Sequence, residues 1–166
     1  KYQEKIITTP LGSSVENLMS EDPVIATILR AGLPLHQGFL NYFDKSENAF
    51  ISAYRKHTTN QQFEVKIEYM ASPNLNDKTI ILCDPMLASG SSMILAIKAL
   101  LSKGIPKHIH ISAIIASIQG IKKLKDHLPI KNCTLWVGAI DQDMTKESYI
   151  VPGIGDAGDL SFGEKI

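Results

Sequence analysis

Two apolar runs, Val24–Leu29 and Thr79–Cys83, are continuous, short and rich in β-branched residues. A strand with no polar side is covered on both faces, as in a parallel sheet between helices. A helical or hairpin segment follows each such run. After Arg30-Ala31-Gly32, Pro34 suits the first turn of a helix over residues 34–43. Residues 49–54 read as the next strand, ending at Arg55. Residues 56–62 are polar and form a flexible loop, the tip of a hairpin returning through Val65, Ile67 and Tyr69 at period two. Residues 92–103 place Met93, Ile94, Ala96, Ile97, Leu100 and Leu101 on one helical face, closed by Gly104 and Pro106. A strand at 109–116, a helix at 119–127 and a strand at 134–137 complete an α/β alternation with a central parallel sheet flanked by helices.

A chain of 166 residues suits one domain, and 44% hydrophobic positions suffice for a core without staples. Seventeen basic and 17 acidic residues cancel, which argues against nucleic-acid and anionic-membrane partners. No run of apolar residues is long enough for a membrane-spanning helix. Cys83 and Cys133 lie in apolar runs, as reduced thiols of an intracellular protein do. The chain opens at Lys1 without a methionine, so an N-terminal segment is expected to be missing.

In parallel sheets, ligands sit beyond the carboxyl ends of the strands. All but two of the basic residues are lysine, and the two arginines, Arg30 and Arg55, both fall at those ends. A planar guanidinium there suits phosphate. Between the third of these strands and its helix lies Asp84-Pro85-Met86-Leu87-Ala88-Ser89-Gly90-Ser91-Ser92. Its small residues let backbone N–H groups converge on an anion, helped by the helix dipole and the hydroxyls of Ser89, Ser91 and Ser92. It is no Walker motif, because no lysine follows the glycine. Asp84 only accepts hydrogen bonds, which suits a vicinal diol. Phosphate and diol together indicate a ribose 5-phosphate. The plain alternative is a strand–helix turn with serine as N-cap.

The 84–92 segment resembles the phosphoribosyl-pyrophosphate (PRPP) motif of type I phosphoribosyltransferases, and its Asp84-Pro85-Met86-Leu87 form is similar to that of the uracil phosphoribosyltransferases. Ile28-Leu29-Arg30-Ala31-Gly32-Leu33 resembles that family's pyrophosphate loop. Residues 149–159 with Phe162-Gly163 resemble its uracil-binding tail. The three motifs, in that order and spacing, cover most of residues 22–163. It implies a type I phosphoribosyltransferase fold with a β-hairpin arm and a C-terminal base-binding hood, as one domain over 1–166. It further implies transfer of phosphoribose from PRPP to uracil, giving UMP and pyrophosphate, with Mg2+ carried by PRPP. A cytoplasmic homo-oligomer, dimer or tetramer, and GTP binding also belong to this picture.

By the same resemblance, Arg30 and Arg55 contact pyrophosphate. Asp84, Pro85, Met86, Leu87, Ala88, Ser89, Gly90, Ser91 and Ser92 hold the ribose and 5-phosphate. Ile150, Gly155 and Ala157 hold uracil through backbone groups, and Asp156 faces the donor and its magnesium. Asp156, Arg55 and Arg30 form the catalytic set. The chain departs from the family where Ser89-Gly90-Ser91-Ser92 replaces Thr-Gly-Gly-Ser, so that Ser91 is expected to tighten the turn. Leu160-Ser161 stands where a basic residue often follows the aspartate.

Pro152, Gly153, Gly155 and Gly158 are expected to keep residues 149–159 out of helix and central strand, freeing backbone groups for a flat base. Cytosine would oppose donor to donor there, costing about 1–3 kcal/mol. The loop after Arg55 is expected to close over the donor. His108 and His110 lack a third metal ligand, Cys83 reads as a buried apolar residue, Asp141 and Asp143 as a solvated acidic loop, and Lys122, Lys123 and Lys125 as an exposed helix face. Three rivals remain open: a phosphoribosyltransferase for another base such as a purine, a nucleotide-binding regulator without turnover, and the C-terminal half of a kinase fusion.

Overall fold

The computed structural model describes residues 2–57 and 63–165, the side chains of residues 54–66 excepted. The chain begins with β1 (Tyr2–Thr9) and β2 (Gly12–Met19), an antiparallel hairpin that forms a sheet of its own. Then follow β3 (Val24–Leu29), α1 (Leu33–Leu40), β4 (Asn48–His57), β5 (Phe63–Ala71), β6 (Thr79–Cys83), β7 (Met86–Leu87) and α2 (Ser91–Leu101). Next come β8 (His108–Ser117), α3 (Ile118–His127), β9 (Cys133–Asp141), β10 (Asp143–Met144), β11 (Ile150–Val151) and α4 (Ala157–Phe162).

Strands β3 to β9 make one seven-stranded sheet. Its path runs β5-β4-β3-β6-β8, with β7 continuing the line of β6 and β9 on the far side of β8. All pairings are parallel except β4 with β5, the hairpin arm expected from the sequence. The separate hairpin β1–β2 was not anticipated. Pro10 and Gly12 mark its turn, but its strands alternate too weakly to announce themselves.

The apolar runs split between two cores by the period-two rule. Val24, Ala26 and Ile28 of β3 and Ile80 and Leu82 of β6 face α2, whose Met93, Ala96, Ile97 and Leu100 are buried against them. Ile25, Ile81 and Cys83 point the other way, onto Leu35, Phe39 and Leu40 of α1 and Phe43 beyond it. Each fully buried aliphatic side chain contributes about 1.5–3 kcal/mol of transfer free energy. Helix α1 ends at Leu40, earlier than the expected Phe43, because Asn41 closes it on Gln37. Among the described residues no helix is long and apolar enough to cross a membrane.

Candidate active site

The carboxyl ends of β3, β4, β6 and β9 open at one edge of the sheet. At β6 the ladder breaks, because Pro85 has no N–H to donate. The Pro85 carbonyl instead accepts from both Ile114 and Ile115 at 3.0 Å, and pairing with β8 resumes at β7. This break turns Asp84 off the strand, with Met86 N–H donating to its Oδ1 at a long 3.4 Å. Burial, incompletely offset by that one bond, pushes the Asp84 carboxyl up to about 7. The same surroundings, with the Asp84 charge added, push the Cys83 thiol up to about 12, so it is no nucleophile at neutral pH.

Residues 88–92 then wind around a hollow of about 40 Å3, lined by Asp84, Ala88, Ser89, Gly90 and Ser92 among others. The N-cap of α2 is Gly90, in the left-handed region at φ 76°, and no side chain caps the helix. This corrects the serine N-cap reading. Ser91 is the first helical residue, and the left-handed conformation falls on Gly90 alone, so Ser91 does not strain the turn. The first-turn N–H groups of α2 are thus left facing the hollow without a side-chain acceptor.

Arg30 follows a cis Leu29–Arg30 peptide bond. Its Nη2 donates to Asp159 Oδ1 at 2.9 Å and to the Gly163 carbonyl at 3.1 Å. Arg30 therefore ties the end of β3 to α4. Its Nε is buried without a partner among the described residues. Gly32 presses against the end of β6, where a Cβ would lie 2.6 Å from the Cys83 carbonyl. On the other side, a Cβ on Gly158 would meet Ala31 at 3.9 Å. The 30–32 turn thus joins the Asp84 region to the tail. Arg55 lies on β4 beyond Ser52, the last residue paired with β3, which sets its backbone above the same edge. Its side chain and the loop residues 58–62 lie outside the described residues.

The tail folds back on itself as β10–β11, with Ile150 buried. Asp141 Oδ2 accepts the Gly153 N–H at 3.0 Å and pins it to the end of β9. Asp141 is therefore a structural clamp, not a solvated acid; only the fold brings it to Gly153. The expectation of no helix through 159 is corrected, since α4 begins at Ala157. Asp156 is its N-cap, accepting from Asp159 N–H at 2.9 Å, so Gly158 falls in the tolerant first turn. Partial burial raises the Asp156 pKa, but the N–H groups of Asp159 and Gly158 and the Lys165 ammonium at 3.6 Å outweigh it and hold the carboxyl below its ordinary value. Ala157 is buried, whereas Gly155 is exposed at φ 80°, with nothing within 4 Å of where a Cβ would stand. Among the described residues no backbone partner occupies Ile154 or Gly155. Their polar groups are free to meet a ligand.

A larger cleft of about 490 Å3 lies at the opposite edge, beside Asp22, Glu47, Asp77 and Lys78. Lys78 and Glu47 satisfy each other there at 2.6 Å. It lies at the amino ends of the strands, away from the anion-ready turn and the glycine-rich tail, so the chemistry is placed at the carboxyl edge. Among the described residues no three His, Cys, Asp or Glu side chains cluster as a metal site.

A curated uracil phosphoribosyltransferase of Porphyromonas gingivalis is 57% identical over 164 residues, covering 99% of this chain and 76% of its own length. One from Methanococcus vannielii is 39% identical, covering 97% and 69%. Among solved structures, the AQ2163 protein of Aquifex aeolicus superposes with a TM-score of 0.85 at 29% identity, over 100% of this chain and 77% of that one. A purine phosphoribosyltransferase of Pyrococcus horikoshii, at TM-score 0.54 and 14% identity over 75% of this chain and 80% of that one, shares the fold alone. The model of the family described as uracil phosphoribosyltransferase matches residues 1–164, and with relatives of this identity along nearly all of its length the chain belongs to that family.

Proposed function

We propose that this chain, as a single phosphoribosyltransferase domain over 1–166, transfers the phosphoribosyl group of PRPP to uracil, yielding UMP and pyrophosphate. The observation that carries this reading is the joining of three segments at one sheet edge: the uncapped 84–92 turn, the Arg30 turn and the open-backbone tail at 154–155. The relatives bear uracil in their names, which disfavours a purine acceptor.

The turn residues Asp84 to Ser92 hold the ribose and its 5-phosphate, with backbone N–H groups on the phosphate and Asp84 on the diol. Ile150, Gly155 and Ala157 offer main-chain groups to the edge of uracil. Its N1 forms a bond to the anomeric carbon as the bond to pyrophosphate oxygen breaks, and the N1 proton leaves. Arg30 and Arg55 stabilise the departing diphosphate. Arg30 must then exchange Asp159 for the diphosphate, which couples donor binding to the seating of the tail. Asp156, held ionised, faces the cationic ribose of the transition state. Mg2+ bound to PRPP would neutralise leaving-group charge. Such an ion takes few protein ligands beside substrate phosphates, so a single carboxylate such as Asp156 fits it. Two unpaired cysteines suit a cytoplasmic setting.

Steady-state kinetics with uracil, cytosine and purines test the assignment, with pyrophosphate release required for uracil alone. Arg55→Ala is expected to raise the KM for PRPP about 10-fold or more and that for uracil far less. Gly155→Val is expected to abolish uracil use while PRPP still binds. Equal effects of either variant on both substrates would place these residues elsewhere.

We also propose that the chain works as a homo-oligomer. Hairpin β1–β2 sets Tyr2, Met19, Ile6 and Val15 on one face, all exposed. A lone two-stranded hairpin is marginal in water, so this face needs cover, which a second copy supplies. Light scattering is expected to show a dimer or larger, and Ile6→Glu with Val15→Glu to yield monomer. A monomeric wild-type chain would sink the idea.

A further inference from the structure

The turn at 88–92 carries no cation of its own, yet a basic side chain reaches it from α3. Lys123 Nζ donates to Ser91 Oγ at 2.7 Å, and Ser89 Oγ donates to the same oxygen at 3.3 Å. The reach is set by how α3 is attached. Ser117, its N-cap, accepts from Gly120 N–H at 2.8 Å and donates to the Ala88 carbonyl at 2.7 Å. Gly120 lies against the turn so closely that a Cβ would run into the Ala88 carbonyl and stand 2.8 Å from that of Leu87. Across the gap, a Cβ on Gly90 would lie 3.0 Å from the Gly120 carbonyl. Two glycines and one serine therefore bring α3 onto the turn, and Lys123 follows one helical turn later.

We propose that Lys123 is a phosphate-binding residue of this chain, docked on Ser91 at the mouth of the turn to engage the 5-phosphate held there. The inference rests on the uracil phosphoribosyltransferase reading given above. An ammonium has three donors. One is spent on Ser91, and the other two remain for phosphate oxygens. Among the described residues no carboxylate pairs with Lys123. The other cations described at this edge are engaged elsewhere, Arg30 by Asp159 and Gly163 and Lys165 by Asp156. A dianionic phosphate beside the Asp84 carboxyl needs a positive charge close by, and Lys123 supplies it. Ser91 supplies the hydroxyl on which it lands, which glycine at that position would not. Its contribution is a partly screened, charge-assisted contact, so its loss weakens binding without abolishing it.

Calorimetric titration of the whole chain with UMP and with uridine decides it. Lys123→Met is expected to weaken UMP binding about 10-fold and to leave uridine binding unchanged. Lys123→Arg is expected to restore UMP affinity to within about 3-fold of wild type. The dependence of UMP affinity on salt is expected to flatten in Lys123→Met. Lys122→Met, one residue earlier on the same helix, controls for loss of a neighbouring charge and is expected to bind UMP as wild type does. Unchanged UMP affinity in Lys123→Met, or equal weakening for UMP and uridine, would overturn the inference while leaving the enzyme reading intact. A wild-type chain that fails to bind UMP at all would overturn both.

Discussion

Replacing Asp84 with asparagine is expected to raise thermal stability above pH 7 while lowering kcat/KM for PRPP about 100-fold. Both effects come from one part-buried, desolvated carboxyl. In the folded chain its pKa is about 7, against an ordinary 3.8, so the folded state holds this proton more tightly than the unfolded state. The stability it contributes is fully present below about pH 4 and is lost as pH rises through about 7. An amide carries no such loss. The gap in unfolding free energy between Asp84→Asn and wild type is therefore expected to open between pH 4 and 7, reaching on the order of 1–3 kcal/mol above that.

Ribose hydroxyls would supply the two donors that Asp84 lacks, and they favour its ionised form. Donor KM in the wild type is thus expected to rise as pH falls below 7, and in Asp84→Asn to stay flat. Melting curves at pH 5 and 8 with donor kinetics at both pH values check this. An equal stability gap at the two pH values, or unchanged donor kinetics in the variant, would refute the assignment.

Gly32→Ala is expected to cost about 3 kcal/mol or more and to abolish turnover. Gly32 has an ordinary φ of −71°, so the reason is space, not backbone conformation. A methyl group there would overlap Thr27 Oγ1 and lie 2.6 Å from the Cys83 carbonyl and 2.7 Å from that of Ile28. Two of these are strand carbonyls at the ends of β3 and β6, where the sheet holds them. The turn must move instead, and it carries Arg30 and abuts Gly158. Gly38→Ala in α1 is the contrast. Nothing lies within 4 Å of its Cβ position, so a gain of about 0.5–1 kcal/mol is expected from helix propensity alone. Urea unfolding and turnover of both variants check the pair; similar stabilities would remove the close-packing argument.

How much of this was legible beforehand depended on range. The unbroken apolar runs of β3 and β6 and the amphipathic α2 announced themselves, because period and burial are local properties. The 84–92 turn was legible too, since its glycine and hydroxyls follow a buried strand directly. The role of Gly120 was not. In the sequence it interrupts a short helix, and only its approach to Ala88 explains it. Asp141 and Lys123 read as solvated charges for the same reason. Their partners, Gly153 and Ser91, are 12 and 32 residues away. Asp156 and Gly158 show the converse error. The glycines of the tail argue against a helix, whereas an aspartate N-cap directly before Ala157 is signal enough for a short one.

The sequence by itself determined an α/β chain with a parallel sheet, an anion-ready turn at one strand end and a glycine-rich tail. Each of these follows from neighbours within a few residues, through burial period, missing Cβ atoms and turn chemistry. Only the tertiary structure decided that Arg30 ties β3 to α4, that Asp84 sits desolvated enough to titrate near neutrality, and that α3 presses a lysine onto the turn. These depend on which chain segments the sheet order brings within a few ångströms, and desolvation and close approach have no counterpart in a linear string of residues.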